Sequence, residues 1–244
     1  ELRDELVKAG IPMPEGIIAD VVLNQTTGAD VAAGDQKGVA GSEYNGSTGS
    51  YPGFATKQYP DGITAADFHS CTKNISDYTN QKEVQECRLS SMWDFNSESE
   101  KVQDIQSDYL ASLWNAGVRG FRMDAVKHIH TDSMKAIKEK FAKKIGKNAN
   151  DIYWIQEVIG NASEAAGIQP SNYVQNGTVT EFGFKSEMNQ TFKDKIANLK
   201  GLSDRLSKDL SSEDANVFVT NWDTARNEGA LTYKDGAKYQ LANA

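Results

Sequence analysis

Cysteine, histidine and proline are all scarce here, with two, three and five copies in 244 residues. Cys71 and Cys87 have fifteen residues between them. A lone pair of this kind lacks the second ligand pair of a zinc site. A single loop-closing disulfide, which would point to an oxidising compartment, fits better, with two buried thiols as the alternative reading. His69, His128 and His130 lack the i, i+4 spacing of a zinc-binding helix. No run of 18 apolar residues occurs, so no membrane-spanning helix is expected. Basic residues are outnumbered, 26 Lys and Arg against 34 Asp and Glu, for a net charge of −8. A nucleic-acid or anionic-membrane surface, which leans on a cationic excess, is therefore not expected. Apolar residues at 39% and charged residues at 25% exclude a disordered or collagen-like chain. The opening Glu-Leu-Arg-Asp-Glu-Leu reads as mid-helix and leaves secretion open.

What is present alternates between two periods. Residues 1–9 predict a helix with Leu2, Leu6 and Val7 on one face, closed by Gly10. Residues 16–24 are almost continuously apolar and β-branched, as in a buried parallel strand. From Gln25 to Asn96 no period is sustained, and eight glycines fall between Gly28 and Gly62. An irregular stretch of that length reads as an inserted functional segment. Tyr44, Tyr51, Phe54, Tyr59 and Trp93 within it are read as its own small core. Beyond it the pattern predicts helices at 97–116, 131–145, 186–199 and 235–244, and strands at 118–125, 152–158, 178–184 and 216–221. The lysines at 135, 138, 140, 143, 144 and 147 read as a solvated helix face. Strand–helix alternation argues for a parallel α/β sheet. A complete eight-stranded barrel takes about 250 residues without large insertions, so only part of one is expected, beginning and ending in a helix.

The chemistry gathers at strand ends. Side chains two apart share a strand face, which groups Asp20, Val22 and Asn24; Arg122 and Asp124; Tyr153, Ile155 and Glu157; and Asn221 and Asp223. Charges inside apolar strands are costly unless paired. A series of them at the C-terminal ends of parallel strands is the active-site pattern of a barrel.

The segments ADVVLNQ, GFRMDAVKH, QEVI and FVTNWD, in this order, resemble the four short conserved regions of the α-amylase family, glycoside hydrolase family 13. The likeness extends to ADFHSC, VQECRL, the Asp94 segment and YKDGAKYQLAN, covering nearly the whole chain. The resemblance implies a partial (β/α)8 barrel over residues 1–24 and 97–244, running from the second helix to the start of the seventh. A small domain B would be inserted after the third strand, over residues 25–96. It implies retaining endo-hydrolysis of α-1,4-glucosidic bonds in starch-type glucans, by a secreted protein that is monomeric at full length. Asp124 matches the nucleophile, Glu157 the general acid and base, and Asp223 the carboxylate that holds sugar hydroxyls. Arg122, Lys127, His128, Gln25 and Trp222 fall at substrate-binding positions. A structural calcium would take the side chains of Asn24 and Asp94 and the backbone carbonyls of Gln85 and His128, hard oxygen ligands as that ion requires. A Cys71–Cys87 bridge would staple the same insertion. Some relatives hold chloride at positions matching Arg122 and Asn221.

A retaining glycosidase needs one ionised and one protonated carboxyl, about 5–5.5 Å apart. Arg122 beside Asp124 supplies the positive charge that an ionised nucleophile needs. Glu157, expected farther from that charge and nearer the other carboxylates, should have its pKa pushed upward. Two positions depart from the family pattern. Gln25 and Trp222 stand where the family usually has histidine. Glutamine can still donate a hydrogen bond, whereas tryptophan is larger and accepts none, so reduced or altered activity is expected. A transglycosylase or maltooligosaccharide-selective enzyme, and a non-hydrolytic glucan-binding relative, are the alternatives.

Overall fold

The computed structural model describes residues 8, 16–28, 35–37, 43–45, 63–194, 196–206, 210–227 and 230–243. The strands are β1 (Ile17–Val21), β2 (Gln25–Gly28), β3 (Asp35–Lys37), β4 (Glu43–Asn45), β5 (Met92–Asp94), β6 (Val118–Met123), β7 (Tyr153–Gln156), β8 (Thr178–Thr180) and β9 (Ala215–Asn216). The helices are α1 (Gln81–Glu86), α2 (Glu100–Asn115), α3 (Thr131–Lys144), α4 (Phe182–Asn189), α5 (Leu202–Arg205), α6 (Trp222–Asn227) and α7 (Ala237–Asn243).

Five strands form one parallel sheet in the order β1-β6-β7-β8-β9. The apolar faces of α2 and α3 cover one side of it. Val21, Phe121, Met123 and Trp154 from the strands meet Leu110, Met134, Ile137 and Phe141 from the helices. Phe141 stands edge-on to both Phe121 and Trp114. Each such buried side chain contributes about 1.5–3 kcal/mol. Gly117 and Gly146 follow the ends of α2 and α3 with φ of +111° and +65°, conformations that favour glycine.

The sheet's other side is open. Ile18, Val22 and Tyr153 are 52%, 47% and 50% exposed. Residues 16–24 are thus not buried on both faces as their continuous apolar run predicts. Alternation continues past the end of β1 through exposed Val22 and buried Leu23 and breaks at Asn24, which is buried instead of sharing the open face with Asp20 and Val22.

Several other expectations are corrected. The strand predicted at 178–184 stops at Thr180, because Glu181 accepts from the Gly183 amide at 2.9 Å and starts α4. The helix predicted at 186–199 is α4, a π turn at Gln190–Asp194 and a 3₁₀ turn at Ile196–Leu199. The strand predicted at 216–221 is only β9, and Asn221 caps α6 instead. The lysine-rich helix is not simply a solvated face. Lys140 reaches Asp104 at 2.6 Å, Lys144 pairs with Asp108, and buried Lys138 donates to the Asn176 carbonyl at 2.6 Å.

Residues 25–96 leave the sheet and return beside their starting point. β2 and β5 pair antiparallel, with Gln25 opposite Asp94, and β3 and β4 form a second antiparallel pair. Cys71 and Cys87 form a disulfide, so the alternative of two thiols falls. Phe68 stacks on Phe95 and stands edge-on to Trp93, which makes Trp93 part of a small local core. The predicted helix at 1–9, the side chain of Tyr44, and Tyr51, Phe54 and Tyr59 lie outside the described residues. No described helix is long and apolar enough to cross a membrane.

Candidate active site

Parallel pairing of β1 with β6 sets Asp20 opposite Arg122. Asp124 lies just past the end of β6 and Glu157 just past the end of β7. The Arg122 guanidinium joins all three. Its Nη1 donates to Asp20 at 2.8 Å and to Asp124 at 2.5 Å, and its Nη2 meets Glu157. Glu157 therefore touches the same cation as Asp124, contrary to the expectation that it lies farther away. Its pKa is nonetheless pushed up, to about 7. Burial of the carboxyl outweighs the pull of Arg122, and the Asp124 carboxylate adds to the push.

Ala125 takes a left-handed conformation, with φ of +52°, a strained choice for a side chain with a Cβ. The turn aims its amide at Glu157 Oε2, 3.2 Å away. A cavity of about 380 Å³ opens beside Asp124 and Glu157, lined also by Tyr78, Leu89, Lys127 and Ile159. Buried Lys127 pairs with Glu164 at 2.6 Å and lies over the Tyr78 ring. The His128 ring, its pKa pushed down to about 4 by burial, bonds the Val84 carbonyl at 3.0 Å.

The third expected carboxylate sits differently. Asp223 is exposed in the first turn of α6, and no hydrogen bond or ion pair among the described residues joins it to Asp124, Glu157 or Arg122. Its neighbour Trp222 does arrive, with its ring 5.0 Å from the Arg122 Cζ. Asn221 spends its side-chain oxygen on the Thr224 amide at 2.9 Å.

The residues with expected calcium roles form two pairs. Phe95 N donates to the Asn24 carbonyl at 2.9 Å, which brings Asn24 next to Asp94. Both are buried, and Asp94 Oδ1 and the Asn24 amide nitrogen have no partner. Reversing that amide, whose orientation is an assignment, would present a second oxygen. Gln85 and His128 meet where His128 binds Val84, and the side chain of Gln85 is spent on Gln81, Tyr173 and Ile129. Between the pairs runs a series the spacing did not disclose. His69 bonds Asp94 at 2.6 Å and Glu98 at 2.9 Å, and His130 bonds Glu98 at 2.7 Å. No group of three or more His, Cys, Asp or Glu among the described residues is arranged to hold a metal. The partly buried Gln25 also keeps an unpartnered Oε1.

No model of a known protein family matches the chain. Individual proteins do. An α-amylase of Thermomonospora curvata is 36% identical over 233 residues, 93% of this chain and 35% of that protein. One of Aeromonas hydrophila is 34% identical over 230 residues, 93% of this chain and 46% of that protein. The crystal structure of α-amylase I from Eisenia fetida superposes with a TM-score of 0.76 at 30% identity, covering 93% of this chain and 47% of that one. Over 93% of its length the chain is thus similar to α-amylases. It spans about a third to a half of the length of the relatives it matches. Its five-stranded parallel sheet accordingly corresponds to part of a (β/α)8 barrel. The Eisenia α-amylase also superposes as a variant in complex with maltohexaose, at 29% identity.

Two residues of this site carry signals that were only partly legible in the sequence. Asp20 was grouped by alternation, but its partner follows from the β1–β6 register. Glu164 lies in a segment without periodicity, and nothing in the spacing pairs it with Lys127.

Proposed function

We propose that the protein hydrolyses α-1,4-glucosidic bonds inside starch-type glucans with retention of configuration. The observation that carries the reading is Glu157, a buried carboxyl that holds its proton to about pH 7 beside Asp124 on a common arginine. In this reading Asp124 attacks the anomeric carbon while Glu157 protonates the departing glycosidic oxygen. Glu157 then takes a proton from water, which releases the sugar from Asp124. Lys127 and Tyr78, on the wall of the same cavity, would contact the glucan. Asp223 would hold sugar hydroxyls; its support is that Trp222, the preceding residue, already lies on Arg122.

We read residues 25–96 as domain B and residues 1–24 and 97–244 as barrel. The residues present fit calcium: Asp94 and Asn24 would offer buried, unpartnered polar atoms, and Gln85 and His128 their carbonyls. Such an ion would supply a fixed positive charge that ties the insertion to the barrel. Chloride fits less well. The terminal nitrogens of Arg122 are shared among three carboxylates and Asn221 is engaged as a cap, so no step is derived through it. The disulfide supports secretion into an oxidising medium.

The test is hydrolysis of a blocked maltoheptaoside with calcium present, by the protein at its natural length and by its Glu157→Gln twin. Turnover confined to the first, with an α-anomeric product by proton NMR, is expected. Glucan binding without turnover in either would replace the hydrolase reading with that of a binding protein.

A further inference from the structure

Arg122 organises the carboxylate cluster through the edge of its guanidinium. Its Nη1 serves Asp20 and Asp124 and its Nη2 serves Glu157. The same guanidinium also lies over the Trp222 ring, its Cζ 5.0 Å from the ring centroid. The ring comes from a separate segment, six residues beyond the end of β9. That segment is anchored independently of Arg122. Asn221 Oδ1 accepts from the Thr224 amide at 2.9 Å, Thr224 Oγ1 accepts from the Asn221 amide at 3.0 Å, and Thr224 is fully buried. The ring remains 50% exposed.

We propose that Trp222 is a positioning residue, whose ring holds the Arg122 guanidinium in the plane that keeps Asp124 and Glu157 in place. The proposal rests on reading the cluster as a glycosidase site. A cation over an aromatic face is attracted by the ring quadrupole, most strongly to indole. A guanidinium seated over such a ring can keep its N–H groups on the carboxylates while the ring holds its centre. Indole has one N–H to donate and no acceptor, so it cannot make both hydrogen bonds that an imidazole offers to sugar hydroxyls. Its contribution passes through Arg122, and its effect is therefore expected in turnover and not in substrate affinity.

The test compares Trp222→Leu, which keeps an apolar cover without the aromatic face, with Trp222→Phe, which keeps the face. In the protein at its natural length, Trp222→Leu is expected to lower kcat on maltoheptaoside about tenfold with KM within about twofold. Trp222→Phe is expected to recover kcat to within about threefold of the original. A raised KM at unchanged kcat would overturn the proposal and make Trp222 a substrate contact. A second readout needs no hydrolysis. The ¹⁵N side-chain resonance of Arg122, assigned by its loss in Arg122→Lys, should carry a ring-current shift that Trp222→Phe keeps and Trp222→Leu abolishes. An unchanged resonance in Trp222→Leu would overturn the proposal even in an active enzyme. A lost shift in a protein that hydrolyses nothing would uphold the positioning role while removing the glycosidase reading.

Discussion

Two clusters in this molecule pair carboxylates with cations, and burial divides the outcomes among their carboxylates. Around Arg122 stand Asp20, Asp124 and Glu157, three carboxylates on one guanidinium. Around Glu98 stand His69 and His130, with Asp94 beyond His69. Glu157 and Asp94 each touch a cation, yet their pKa values are pushed up, to about 7 and about 6. Glu98, held by two imidazoles, is pushed down, its partial burial outweighed by the hydrogen bonds to His130 and His69. Exposure separates the cases: Glu157 and Asp94 are 8% and 3% exposed, while the Glu98 side chain is 39% exposed. A buried carboxyl loses more hydration than a single partner returns. Near the surface, with two partners, the balance reverses. The same residue type can therefore serve as a proton donor in one place and as a plain ionic link in another.

The contrast can be broken most directly at its two glutamates. Glu157→Gln is expected to lower kcat by about 10²–10⁴, the usual contribution of a general acid and base, whereas Glu98→Gln should leave kcat near that of the original protein; steady-state rates on maltoheptaoside decide it. Next comes the cation itself. Arg122→Gln leaves three neighbouring carboxylates unneutralised, two of them just past strand ends, and should cost about 3–5 kcal/mol in urea unfolding. A midpoint unchanged from the original would mean that Arg122 does not bind the cluster together.

A third effect reads the pH. Glu157 must carry its proton to act as an acid, and its pKa lies above the ordinary value, at about 7. The protonated fraction therefore falls with rising pH, and kcat/KM should decline about tenfold per unit above pH 7. A profile flat to pH 9 would contradict the assignment. The smallest effect belongs to Glu98. Glu98→Gln should cost about 1 kcal/mol or less in stability and move the His130 titration back toward that of free histidine, followed by proton NMR. His69, raised to about 9 because its bonds to Asp94 and Glu98 overcome the cost of burial, should shift less, since Asp94 remains.

Much of this arrangement was legible in the linear order of residues. Period-two spacing set Arg122 and Asp124 on one face, and Gly117 and Gly146 marked helix ends where φ is positive. The four motifs, in order, pointed to the α-amylase family before any contact was known. The failures also have a common origin. Phe182–Phe184 read as strand, yet the side-chain cap from Glu181 starts a helix there, and Val217–Asn221 run irregularly up to the helix that Asn221 caps at Trp222. Caps compete with local propensity at the scale of single hydrogen bonds, which an apolar pattern does not register.

By itself, then, the sequence determined which groups could do chemistry and at which strand ends, because alternation and helix-stopping glycines are local properties of the chain. Only the tertiary structure decided how those groups share charge. The β1–β6 register set Asp20 against Arg122, the chain from β9 carried the Trp222 ring against the same guanidinium, and β2–β5 pairing returned Asp94 to Asn24. Burial, a property of the packed whole, then settled which carboxyl keeps its proton.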